Sequence, residues 1–335
     1  MRTWHLVALG CIGLVVGVVG GLAATGLLPP ALTQLVTRAP APASPTLKSE
    51  PEELPKDDAA YIAFDQGRYL TALELAEKAA AREDPQAHTL IGRIYAEGLG
   101  VAKDEATAAR WYARAAELGD PQGMLALGTM LAEGRGVARD VTLAAEMFEK
   151  AAATGDPLAN YNLGLMFLRG AGKPENPHRA AQHIRYAAEN GIAAAQYDLA
   201  ALYLDGRGVP NDALEAARWS AKAAAHGLPA AEYDYAVMLL AGRGLTADES
   251  KAVPYLKSAA EKNVAGAQNR LAYLYKEGVG VEANPIEAAK WRLIAKSTGL
   301  ADDTLDQFVA ALPEADRQKA AAAATEWREK KQILP

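Results

Sequence analysis

The chain is 335 residues long, half of them hydrophobic, with a formal net charge of −6. That length allows one sizeable core or an extended array, and the mild acidity offers no basic footprint of the kind nucleic acid requires. A single cysteine, Cys11, excludes a disulfide framework and a cysteine-based zinc site, while the abundance of Ala, Leu, Glu, Lys and Arg points to an all-α body.

Residues 6–28, LVALGCIGLVVGVVGGLAATGLL, carry no charge. As a helix they extend roughly 34 Å, enough to cross a hydrocarbon core of about 30 Å, and the run is longer than the usual apolar region of a signal peptide. The expectation is a transmembrane anchor or uncleaved signal over 1–28. Arg2 before the run favours a cytoplasmic N-terminus and an exported body, so the expected placement is single-pass in an inner membrane with the body in the periplasm. Cleavage near residues 41–43 would instead release it into the periplasm. Gly13, Gly17 and Gly21 recur every four residues, a spacing that suits self-association through a close helix contact. Residues 29–58 hold seven of the 18 prolines, and acids gather toward their end, so they read as an extended linker unable to bury a core.

From Glu97 the sequence repeats every 36 residues, with EGLG, EGRG, RGAG, DGRG, AGRG and EGVG opening successive lines. A period in this range signals stacked repeats. The eighth position of each line is Asp104, Asp140, Asn176, Asp212, Asp248 or Asn284, all preferred N-cap residues, and Pro177 and Pro285 follow two of them at the first helical position. Glu215 and Glu287 stand where they can complete capping boxes. This first helix is predicted to end at Gly119, Gly155, Gly191, Gly227 or Asn263, residues suited to a left-handed cap. A second helix begins at once, marked by Asp120-Pro121 and Asp156-Pro157, and its residues Ala159, Leu163, Met166 and Phe167 make one apolar stripe. Asp84-Pro85 lies one period earlier, so a further unit over about 61–96 precedes the obvious ones. Neither helix buries its stripe alone, and stacking supplies a continuous core. The fold expected is an α/α superhelical solenoid of about seven two-helix repeats over 59–300. Trp111, Met147, His183, Trp219, Tyr255 and Trp291 share one column and read as core filling, His183 included.

The stretch EGRGVARD, from Glu133 to Asp140, invites comparison with a phosphate loop. A dinucleotide loop needs a third glycine after a strand, and Arg139 stands there instead. Six copies suit a turn better than a nucleotide site. Gly136 is expected at positive φ, where valine would cost about 1–2 kcal/mol.

The segment AQYDLAALYLDGRGVPNDALEAARWSAKAAAHG at 195–227 resembles the SEL-like repeat family, relatives of the tetratricopeptide repeats. The resemblance covers about 61–300 through its glycines, caps and paired alanines. It implies a binding scaffold, of a kind often found in bacterial envelopes, rather than an enzyme. The family's helical end-piece is matched loosely at 311–334, so residues 301–335 are expected to form a C-terminal helical cap, with Trp327 covering the last repeat.

No catalytic constellation stands out. His5, His88, His178, His183 and His226 show no metal spacing, there is no H-E-x-x-H and no G-x-S-x-G, and neither cofactor nor metal is implied. Binding is the stronger expectation. One column of the second helix holds Leu125, Tyr161, Tyr197, Tyr233 and Asn269, and its neighbour holds Ala126, Asn162, Asp198, Asp234 and Arg270. Tyr161, Asn162, Tyr197, Asp198, Tyr233, Asp234 and Arg270 are therefore the candidate groove residues. They form an aromatic and acidic strip suited to an extended protein partner with basic or apolar residues, unless the tyrosines simply pack between repeats. A glycan- or peptidoglycan-associated accessory factor is the alternative, since aromatic grooves also stack sugars.

Overall fold

Every 36 residues the chain turns twice, and the result is a row of antiparallel helices. A computed structural model describes residues 59–331. The apolar segment 6–28 with its glycines, the linker 29–58 and residues 332–335 lie outside those described. Among the described residues no helix is long and apolar enough to cross a membrane.

The helices are α1 (Ala59–Asp65), α2 (Tyr69–Ala80), α3 (Pro85–Glu97), α4 (Glu105–Glu117), α5 (Pro121–Glu133), α6 (Val141–Ala153), α7 (Pro157–Arg169) and α8 (Pro177–Glu189). They continue as α9 (Ala193–Asp205), α10 (Ala213–Ala225), α11 (Pro229–Ala241), α12 (Glu249–Glu261), α13 (Ala265–Glu277), α14 (Pro285–Ser297), α15 (Asp303–Ala311) and α16 (Glu314–Lys330). Helices α4 to α14 with even labels are the first helices of the repeats. Those from α3 to α13 with odd labels are the second helices.

All six first-helix N-caps work as their sequence implies. Asp104, Asp140, Asn176, Asp212, Asp248 and Asn284 each accept a bond from first-turn backbone N–H groups. The capping boxes expected at Glu215 and Glu287 do not form. The N–H groups that they would bind, on Asp212 and Asn284, donate instead to the carbonyls of Tyr203 and Tyr275, at 3.0 and 2.8 Å. Glu215 and Glu287 turn to Arg218 and Lys290. The reason lies in the loop. The same bond, from the N-cap amide to a carbonyl near the end of the preceding second helix, recurs at Asp104, Asp140, Asn176 and Asp248. It closes the Gly-x-Gly turn and consumes the donor that a box requires.

First helices end in left-handed residues as predicted, Gly119 at φ +90° and Asn263 at +63° among them. Glu83 occupies the same place one register earlier at φ +61°, where a side chain is strained. Asp84, Asp120 and Asp156 cap second helices, whereas Ile192, Leu228 and Val264 leave theirs without a side-chain cap.

Each second helix packs most extensively on the first helix that follows it. The predicted stripe of Ala159, Leu163, Met166 and Phe167 is buried, as are Trp111, Met147, Trp219 and Trp291. Close approach is set by small residues. Gly128 lies against the ring of Phe148, and a Cβ there would stand 2.8 Å from the ring. His183 is half-buried, stacked on Phe167 at 5.7 Å and bonded through Nδ1 to Asn160, which is a packing role. Beyond the last repeat, α16 folds back across α14. There Trp327 meets Trp291 edge to face and its Nε1–H donates to Glu261 at 3.0 Å.

Candidate interaction face

The strip columns lie along the second helices, where Tyr161, Tyr197 and Tyr233 pack against the edges of the core clusters. Tyr161, Tyr197 and Tyr233 are half-buried, as are Asn162, Asp198 and Asp234, while Arg270 is exposed. Leu125, the first member of the tyrosine column, belongs to the core. Each helix continues the strip one turn later with a half-buried apolar residue: Leu165 on α7, Ala201 on α9 and Val237 on α11.

The tyrosines and aspartates are joined. Tyr161 Oη donates to Asp198 Oδ2 at 2.8 Å, and Tyr197 Oη donates to Asp234 Oδ2 at 2.8 Å. The offset is 37 residues, one period plus one, so each rung ties a second helix to the next second helix. The strip is a ladder. Its aspartates are not simply open acidic sites, because each spends an acceptor on a phenol.

Burial dominates the electrostatics. It pushes the Asp198 carboxyl above the ordinary carboxylate range, against the lowering effect of the Tyr161 hydrogen bond and of Arg169. Burial also pushes the hydroxyls of Tyr161 and Tyr197 upward, reinforced by Asp198 and Asp234 respectively, so both remain protonated donors. A carboxyl raised on folding favours the protonated state. The contribution of Asp198 to stability therefore declines as pH climbs from the ordinary value of 3.8 through its raised value.

The third register breaks the pattern. The residue 37 positions after Tyr233 is Arg270, not an aspartate. No hydrogen bond or ion pair joins either the Tyr233 hydroxyl or Arg270 to another described residue. The Tyr233 ring rests on Gly266, where a Cβ would come within 2.9 Å of Cζ. One step on, Asn269 Nδ2 donates to Asp302 Oδ2 at 2.8 Å and Tyr273 Oη to Asp302 Oδ1 at 3.0 Å. Asp302 also caps α15 through Leu305 N.

Sequence reasoning missed the network behind this closure. Arg292 is 1% exposed and donates to Asp306 Oδ1 at 2.7 Å, to Asn269 Oδ1 at 3.0 Å and to the Leu300 carbonyl at 2.9 Å. Its signal was present. Position 292 belongs to the column of Tyr112, Phe148, Ile184, Ser220 and Leu256, and a cation in that column needs a buried anion.

Among the described residues no group of three or more His, Cys, Asp or Glu side chains is placed to hold a metal ion.

Comparison with known proteins adds the family. The Sel1 repeat model matches residues 85–120, 121–156, 157–192, 193–228, 229–264 and 265–294, more than half of the chain. It counts six repeats rather than about seven, and each begins at a second helix and takes in the following first helix, the pair that packs most extensively, the sixth match stopping at residue 294 within α14. Helices α1 and α2 precede the first. A Sel1 repeat protein from Oxalobacter formigenes is similar at 29% identity and a TM-score of 0.63, over 71% of this chain and 98% of that one. The antigen c5321 of uropathogenic Escherichia coli, described as displaying an SLR fold, is similar at 28% identity and a TM-score of 0.57, over 82% and 68%. Among curated proteins, none matches the chain.

Proposed function

The chain belongs to the Sel1 repeat family, and from that premise we propose that it is a non-catalytic scaffold that docks a protein partner on the ladder face of its second helices. Sel1 repeats typically serve protein–protein interaction and are usually non-catalytic. The observation that carries the reading is the pair of rungs Tyr161–Asp198 and Tyr197–Asp234. They hold aromatic side chains in place beside half-buried Leu165 and Val237. Rings already ordered lose little freedom when a partner covers them, and aromatic residues are the usual anchors of an interface.

In this reading residues 6–28 tether the chain to a bacterial inner membrane, and the linker 29–58 holds the solenoid in the periplasm. The peptidoglycan alternative fits less well. A sugar needs many free polar partners around a stacking ring, and here the aspartates already accept from the phenols.

A photo-crosslinking residue replacing Asn162 in the intact chain, within its native envelope, tests the assignment against the same residue at exposed Arg218 on α10. One discrete protein captured from position 162 and not from 218 is the expected result. Equal capture at both positions, or co-sedimentation with purified cell-wall sacculi in place of a protein adduct, overturns it.

A further inference from the structure

We infer that the broken rung at Tyr233 and Arg270 recognises an acidic side chain within an extended segment of the partner. The inference rests on the docking role of the ladder face and names the chemistry of one point on it.

The rungs on either side are each closed by a carboxylate of this chain. Tyr197 has Asp234 before the gap, and Asn269 and Tyr273 share Asp302 after it. Within the gap the register that holds Asp198 and Asp234 after the preceding tyrosines holds Arg270, exposed on the next second helix, while the Tyr233 ring rests on Gly266. Arg270 cannot accept the Tyr233 proton, because a guanidinium has no acceptor. The group that satisfies both is the group that closes the other rungs. A carboxylate takes two N–H bonds from arginine and one O–H bond from tyrosine, and charge assistance makes such bonds strong. An apolar or cationic partner residue would instead cover an uncompensated positive charge, which is costly. The strip runs on past the gap to Tyr273 and Asp302, so the occupant need not end at Arg270. An internal Asp or Glu fits better than a chain terminus.

The test uses short random peptide segments, displayed with both ends joined to a carrier, and the full-length chain as bait. Segments retained by the natural chain are expected to share an acidic residue at one register. Replacing that residue by its amide, or making Arg270→Glu, is expected to weaken binding roughly tenfold. Arg270→Lys keeps the preference for an acid because the charge remains. Retained segments that are lost on Val237→Glu but show no acidic register, or that bind Arg270→Glu unchanged, overturn the inference and leave the docking face standing. If no segment is retained, or if Val237→Glu changes nothing, the docking role itself fails and the inference falls with it.

Discussion

Tyr161, Tyr197 and Tyr233 occupy one column, yet they have different chemistry. Two hydroxyls donate to carboxylates that the fold has partly withdrawn from water. Removing one leaves a desolvated acceptor without its donor. Tyr161→Phe or Tyr197→Phe should each lower unfolding free energy by about 1–2 kcal/mol, whereas Tyr233→Phe should stay within about 0.5 kcal/mol. Denaturant melts of the three variants check this, and equal losses would remove the distinction between closed and open rungs. The columns themselves were legible in the sequence as a 36-residue recurrence. The bonds were not, since they run at 37 and depend on how neighbouring second helices are offset.

At the scale of the element, the two glycines of each Gly-x-Gly turn are unequal. Gly134 caps α5 in the left-handed region, and a Cβ there would meet only the Arg139 side chain closely, its Cβ at 3.2 Å. Gly136 has φ +66°, and its Cβ would stand 2.2 Å from the Glu105 carbonyl oxygen in the preceding repeat. A side chain there meets both a strained backbone and a backbone collision. Gly136→Ala should cost about 3 kcal/mol, and Gly119→Ala, at φ +90° with open space around it, about 1 kcal/mol. Thermal unfolding of the pair decides the point, and similar melting temperatures would argue against the collision. The sequence pattern rightly made Gly136 a turn residue at positive φ. Its contact with the preceding first helix, which sets the larger penalty, comes from stacking alone.

At the scale of the molecule, a solenoid has ends, and here the described C-terminal end is closed by polar chemistry as well as by packing. Arg292 holds the Asp306 carboxyl down to about 2, with Lys296 adding to the effect. A carboxyl lowered on folding contributes stability that is fully present above its ordinary value of 3.8 and is lost as pH falls toward 2. Asp306→Asn should therefore be less stable than the natural chain at pH 6, and the difference should shrink between pH 4 and pH 2. Urea titrations read by tryptophan fluorescence measure it, and a difference that does not change with pH would dismiss the ion pair as the closure.

The sequence by itself determined the helical period, the N-caps, the left-handed helix ends and the buried stripes. These depend on residues within one unit, and each is written six times over. Tertiary structure alone decided what repeats do to one another. It took the N-cap amides away from Glu215 and Glu287, turned a row of tyrosines and aspartates into a ladder, and buried Arg292 beneath the last helices. Among the described residues it also left the Tyr233 hydroxyl and Arg270 without an acceptor. Those outcomes depend on the offset between neighbouring units, a distance across the stack that no single repeat encodes.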